Sequence, residues 1–161
     1  MEKNVSLSEI RKKYKKLESK YKLPSFSDLN EEFEIEKVQE RETEFLLREI
    51  RRAMSDKVIA FLRFLELFLN PVTAPLFVLV ALKNMSIQDK EKMESLYQEL
   101  VRVEIKSIIL DIEYSEAEEA KFIKEIYAKW KEVKKELGEI CKEIEKVHEK
   151  SSEKKSKSYF G

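Results

Sequence analysis

Three groups of residues in this sequence have types and spacings that could do chemistry. Glu32, Glu36, Glu40 and Glu44 recur at every fourth position, with Glu31, Glu34 and Glu42 beside them. Carboxylates stacked on one helix face could hold Mg²⁺ between the phosphates of a substrate, which would make the chain a helical Mg²⁺-dependent phosphohydrolase. Ile35, however, stands where a Glu-Glu-x-x-Glu motif starting at Glu31 needs its last carboxylate. A solvated face, partly neutralised by Lys37, Arg41 and Arg48, is the simpler expectation.

The other two groups are cationic. Arg48, Arg51 and Arg52 fall at i, i+3 and i+4, with Lys57 a turn and a half further on. Guanidinium groups on one ridge could grip phosphate or an acidic partner. Arg11, Lys12, Lys13, Lys15, Lys16, Lys20 and Lys22 are interleaved with Tyr14 and Tyr21, a combination compatible with RNA or an anionic surface. Residues 1–22 carry eight bases and three acids, whereas residues 28–50 carry nine acids and three bases. Docking of the first segment on the second accounts for both without a ligand.

Several chemistries lack their residues. Glu145-Lys146-Val147-His148 has the Glu-x-x-His spacing of a di-iron half-site, but that site needs the motif twice and His148 is the sole histidine. Gly138 and Gly161 are the only glycines, too few for a phosphate-cradling loop. Cys141 is the one cysteine and has no histidine nearby, so it lacks an activating base and cannot close a disulfide within the chain. No metal site and no cofactor is expected. Phe122, Tyr127 and Trp130 read as an aromatic layer of a core.

These residues are positioned by helices. Ser6-Leu7-Ser8-Glu9 has the spacing of a capping box, and Ile10, Tyr14, Leu17 and Tyr21 form one stripe behind it. Leu23-Pro24 ends that helix, and residues 25–30 form a connector with Phe26 and Leu29 tucked inward. A long helix is expected from about Glu32 to Leu69, with Ile35, Val38, Leu46, Ile50 and Met54 inside. Its second half, from Val58, is apolar nearly all round and therefore expected to be enclosed on all sides. Asn70-Pro71 stops it. Residues 74–85 form the next helix, because their apolar run has no strand to pair with. Residues 86–114 form a fourth, with Met93, Tyr97, Leu100, Val101, Ile105, Ile108, Ile109 and Ile112 on its buried face.

The last helix, from Glu116 to Lys150, has the clearest pattern. Ile123, Ile126, Trp130, Val133, Leu137, Ile140, Ile144 and Val147 alternate steps of three and four, a coiled-coil-like seam in a helix about 50 Å long. Its lower end, Leu137, Ile140, Ile144 and Val147, is expected to be covered by the first helix or by a homodimer or partner interface. Gly138 would there allow close approach of another backbone. Residues 151–161 read as a disordered, lysine-rich tail.

The whole is an all-α, single-domain bundle of about five helices over residues 1–150, without an internal repeat. The longest uncharged run, Leu67–Leu82, is sixteen residues and broken by Pro71 and Pro75, short of the ~20 that a membrane span requires. No export signal is visible at Met1–Ser6, and the lone cysteine suits a reducing compartment, so a cytoplasmic protein is expected. Charged residues make up 40% of the chain, a density that also suits a thermophilic source, yet the formal net charge is zero. The expected function is non-catalytic: a macromolecular binding or scaffold module with a protein partner or a second copy. An RNA- or ribosome-associated factor using the basic first helix and the arginine ridge, and the phosphohydrolase above, are the alternatives.

Overall fold

The computed structural model describes residues 6–40 and 44–158. Among these residues the chain is all-α, with six α-helices and two short 3-10 helices: α1 Leu7–Tyr21, α2 Phe26–Phe33, a 3-10 helix Ile35–Glu40, α3 Leu46–Leu69, a 3-10 helix Pro71–Thr73, α4 Leu76–Asn84, α5 Ile87–Ile112 and α6 Glu116–Ser158. The chain divides into two compact units, residues 1–59 with 102–130 and residues 60–101 with 131–161. Segments of α3, α5 and α6 belong to each.

In the first unit α1 starts at the expected capping box. Ser6 Oγ accepts from the Glu9 N–H at 3.3 Å and Glu9 Oε2 accepts from the Ser6 N–H at 3.1 Å. It ends on Lys22 in the left-handed region (φ 54°), one residue before Leu23-Pro24. The buried Ile10 and Tyr14 hold α1 down: Tyr14 donates to the Pro24 carbonyl at 2.6 Å and meets Phe26 edge-on at 5.6 Å.

The expected helix from Glu32 to Leu69 is not continuous. Ser25 caps a separate helix, α2, which closes on Glu34 in the left-handed region (φ 53°). Asn30 stabilises that break by accepting from the Glu34 N–H through its carbonyl and from the Glu36 N–H through its side chain, both at 2.9 Å. The reason is burial. Phe33 and Ile35 are both in the core, yet two positions apart on one helix they would point about 200° from each other. Breaking the helix between them turns both inward.

In the second unit the later part of α3 buries one stripe, Leu62, Leu65 and Phe68, rather than its whole circumference; Leu67 and Leu69 are exposed. Asn70-Pro71 does end α3, and α4 is helical as expected, burying only Val78 and Ala81. The last helix runs past Lys150 to Ser158, so residues 151–158 are helical rather than a disordered tail; residues 159–161 lie outside the described residues.

Candidate functional site

The arginine ridge of α3 is a buried ion cluster inside the first unit. Arg51 is 0% exposed, and so is Glu119 of α6, one turn in from its Ser115 cap. Arg51 Nε and Nη2 donate to the two Glu119 oxygens at 2.9 and 3.3 Å, Nη1 donates to Ser107 Oγ at 2.9 Å, and Nη2 donates to Asp111 at 2.7 Å. Arg48 lies 3.7 Å from Glu119, donates to the Leu110 carbonyl at 3.4 Å and stacks over Tyr114. Arg52 bridges Asp111 and Glu49 at 3.1 and 3.0 Å. Burial opposes the charge on Arg51, but the bonds to Glu119 and Asp111 outweigh it and hold its pKa above the usual value. With its donors taken and no surface exposed, Arg51 cannot reach a phosphate. The expected ridge holds helices together instead.

Lys57 is also engaged. Its ammonium donates to the Glu32 carbonyl and sits 5.8 and 5.7 Å from the ring centres of Phe33 and Trp130. Trp130 Nε1 donates to Glu32 Oε2 at 2.8 Å, so the ladder's first carboxylate serves a core tryptophan. Of the expected aromatic layer, Phe122 and Trp130 are buried and Tyr127 is half-buried, and the ring packed on Trp130 is Phe33 of α2, at 4.8 Å; a cavity of about 330 Å³ opens beside it, lined by Phe33, Glu34, Val38 and Lys57.

The glutamate ladder does not form. Glu32 lies on α2, Glu36 on the 3-10 helix beyond the Glu34 turn, and Glu44 in a turn before α3. Among the described residues no group of three or more His, Cys, Asp or Glu side chains could hold a metal ion. The α1 cations behave differently. Arg11, Lys12 and Lys15 are exposed and enter no ion pair among the described residues, although Arg11 covers the Phe26 ring at 4.9 Å. α1 packs on α2 and on the 3-10 helix Ile35–Glu40, as expected of its docking on the acidic segment, but among the described residues its cross-helix ion pair joins Lys20 to Glu116 of α6 at 2.9 Å.

In the second unit the proposed partner stripe of α6 is core. Leu137, Ile140 and Ile144 are 8%, 3% and 9% exposed within a single chain, and Val147 is half-buried. A Cβ on Gly138 would meet nothing within 4 Å, so that glycine marks no close approach. Cys141 is exposed, and such desolvation as it has pushes its thiol up, away from the reactive thiolate. His148 is exposed well inside the extended helix.

The unanticipated surface is on α5. Leu110, Ser107 and Val103 face inward, and the isoleucines expected beside them do not. Ile105, Ile108, Ile109 and Ile112 are 52%, 52%, 54% and 77% exposed. Their spacing puts them on one face, opposite the buried one. Beside Ile109 a groove of about 140 Å³ runs between α5 and α6, floored by Leu110 and Phe122 and rimmed by Lys106, Lys121, Glu118 and Glu125. Lys106 and Glu125 close one wall at 2.9 Å. In the second unit Val72, Leu76, Leu79 and Ile87 are also exposed. No helix is long and apolar enough to cross a membrane among the described residues.

Comparison of the chain with protein-family models, with curated proteins and with solved structures finds no match.

Proposed function

We propose that this protein is a non-catalytic binding module whose contact surface is the isoleucine face of α5. The observation that carries it is the exposure of four isoleucines at i, i+3, i+4 and i+7 on one regular helix. Contiguous apolar surface of this kind marks interaction sites in soluble proteins, whereas scattered apolar residues do not. Together the four leave exposed a little over two isoleucines' worth of surface, so covering them is worth about 3–7 kcal/mol at ~1.5–3 kcal/mol per side chain. Association costs ~4–15 kcal/mol, so a partner must add apolar surface of its own.

The same geometry weakens the alternatives. Of the nucleic-acid candidates, Arg51 is sealed in the core and Arg48, Arg52 and Lys57 are occupied, which leaves the cations of α1 without the second half of their site. The phosphohydrolase reading loses its aligned carboxylates at the Glu34 turn.

A photo-crosslinking residue at Ile109, in the protein expressed in its native cells, tests this proposal. Adducts formed at Ile109 and absent when the same residue replaces the exposed Lys13 are expected. No adduct at Ile109 would refute a contact role for this face.

A further inference from the structure

We infer that the isoleucine face of α5 is covered by the same face of a second copy, with the two α5 helices antiparallel; this rests on the binding-module reading above. The argument comes from the charges that bracket the face. Arg102 and Glu113 are both exposed, and neither enters an ion pair among the described residues. They are eleven residues apart, which places them within about 20° of each other around the helix and ~16 Å apart along it. Glu113 follows the last helical residue, but its N–H still donates to the Ile109 carbonyl at 2.9 Å, so the helical path holds through it. Both therefore lie on one flank of the isoleucine face, one near each end.

A parallel pair has its two-fold axis along the helices and sets each flank of the face against the opposite flank of the second copy, so that Arg102 meets Glu104, Glu113 meets Asp111, and Arg102 and Glu113 are not brought together. An antiparallel pair centred between Ser107 and Ile108 sets Arg102 of each copy against Glu113 of the other. The same centre interleaves the isoleucines, with Ile105 of one copy falling between Ile109 and Ile112 of the second. On the opposite flank Glu104 meets Asp111 of the other copy, whose carboxylate is already paired within its own chain by Arg51 and Arg52 at 2.7 and 3.1 Å. The pair between Lys106 and Glu125 is left intact.

The test is the mass of the purified full-length chain by light scattering over a concentration series. The wild type is expected to pass from monomer to dimer. R102E and E113R, each placing like charges at both ends of the interface, are expected to weaken the dimer by about tenfold or more, with helicity and unfolding midpoint unchanged. R102E/E113R, which restores opposite charges in the reversed sense, is expected to recover the dimer. A wild type that stays monomeric at every concentration overturns the inference, and so does a double variant no better than the singles. A monomeric wild type whose Ile109 still crosslinks to a different chain would overturn self-pairing alone and leave the binding role standing.

Discussion

Replacing Arg51 with Met removes a guanidinium that is 0% exposed and makes four hydrogen bonds, two of them to Glu119, which is itself 0% exposed. Methionine fills much of the same space, so the main loss is electrostatic rather than a cavity. Glu119 would be left as a buried anion whose nearest cation, Arg48, is 3.7 Å away. Removing one partner of a buried pair costs ~3–5 kcal/mol, since the remaining charge is desolvated without compensation. Ser107 Oγ loses its donor as well, at ~1 kcal/mol. Against a total stability of ~5–15 kcal/mol, this should shift the urea midpoint of the full chain strongly. Exchanging both partners, Arg51→Met with Glu119→Leu, should recover most of the loss, because a well-packed apolar pair is often as stable as the buried ion pair it replaces. A double-mutant cycle by urea denaturation reads the coupling directly. A single variant that costs less than about 1 kcal/mol, or a double variant that costs the sum of the singles, would refute the cluster as a coupled buried unit.

The hydrogen bond from Arg51, joined by that from Arg52, holds the Asp111 carboxyl below its ordinary value of 3.8. A depressed folded pKa stabilises the fold above the unfolded value and loses that contribution as pH falls through the folded one. Asp111 is 42% exposed, so the contribution is small, under about 1 kcal/mol. The difference in unfolding midpoint between wild type and Asp111→Asn should shrink from neutral pH to about pH 3, and a constant difference would contradict the pairing. In the second unit, Leu137→Lys with Ile144→Lys should unfold the region, seen as lost helical signal, because charges would enter the core. A variant that kept its helicity and changed only its assembly state would return those residues to a partner interface.

The helices themselves were legible because their signals are local. The hydroxyl of Ser6 and the carboxylate of Glu9, the stop at Asn70-Pro71 and the three-four spacing of α6 each act within a turn or two, so the residues that encode them are adjacent in the chain. The break at Glu34 was not legible. It depends on Phe33 and Ile35 both being buried, and periodicity alone cannot announce that a helix will turn to achieve this. The role of the arginine ridge depended in the same way on Glu119, which lies 68 residues from Arg51 and has no local relation to it. The contact face turned on the same limit. The later part of α5 carries two apolar sets, Val103 and Leu110 on one side and Ile105, Ile108, Ile109 and Ile112 on the other, and hydropathy marks both as candidates for burial. A helix in a bundle is covered only where a neighbour lies against it. Which set would stay exposed was decided by the placement of α3 and α6 segments against α5 in the first unit, through Arg51 with Ser107 and Asp111 and through Lys106 with Glu125.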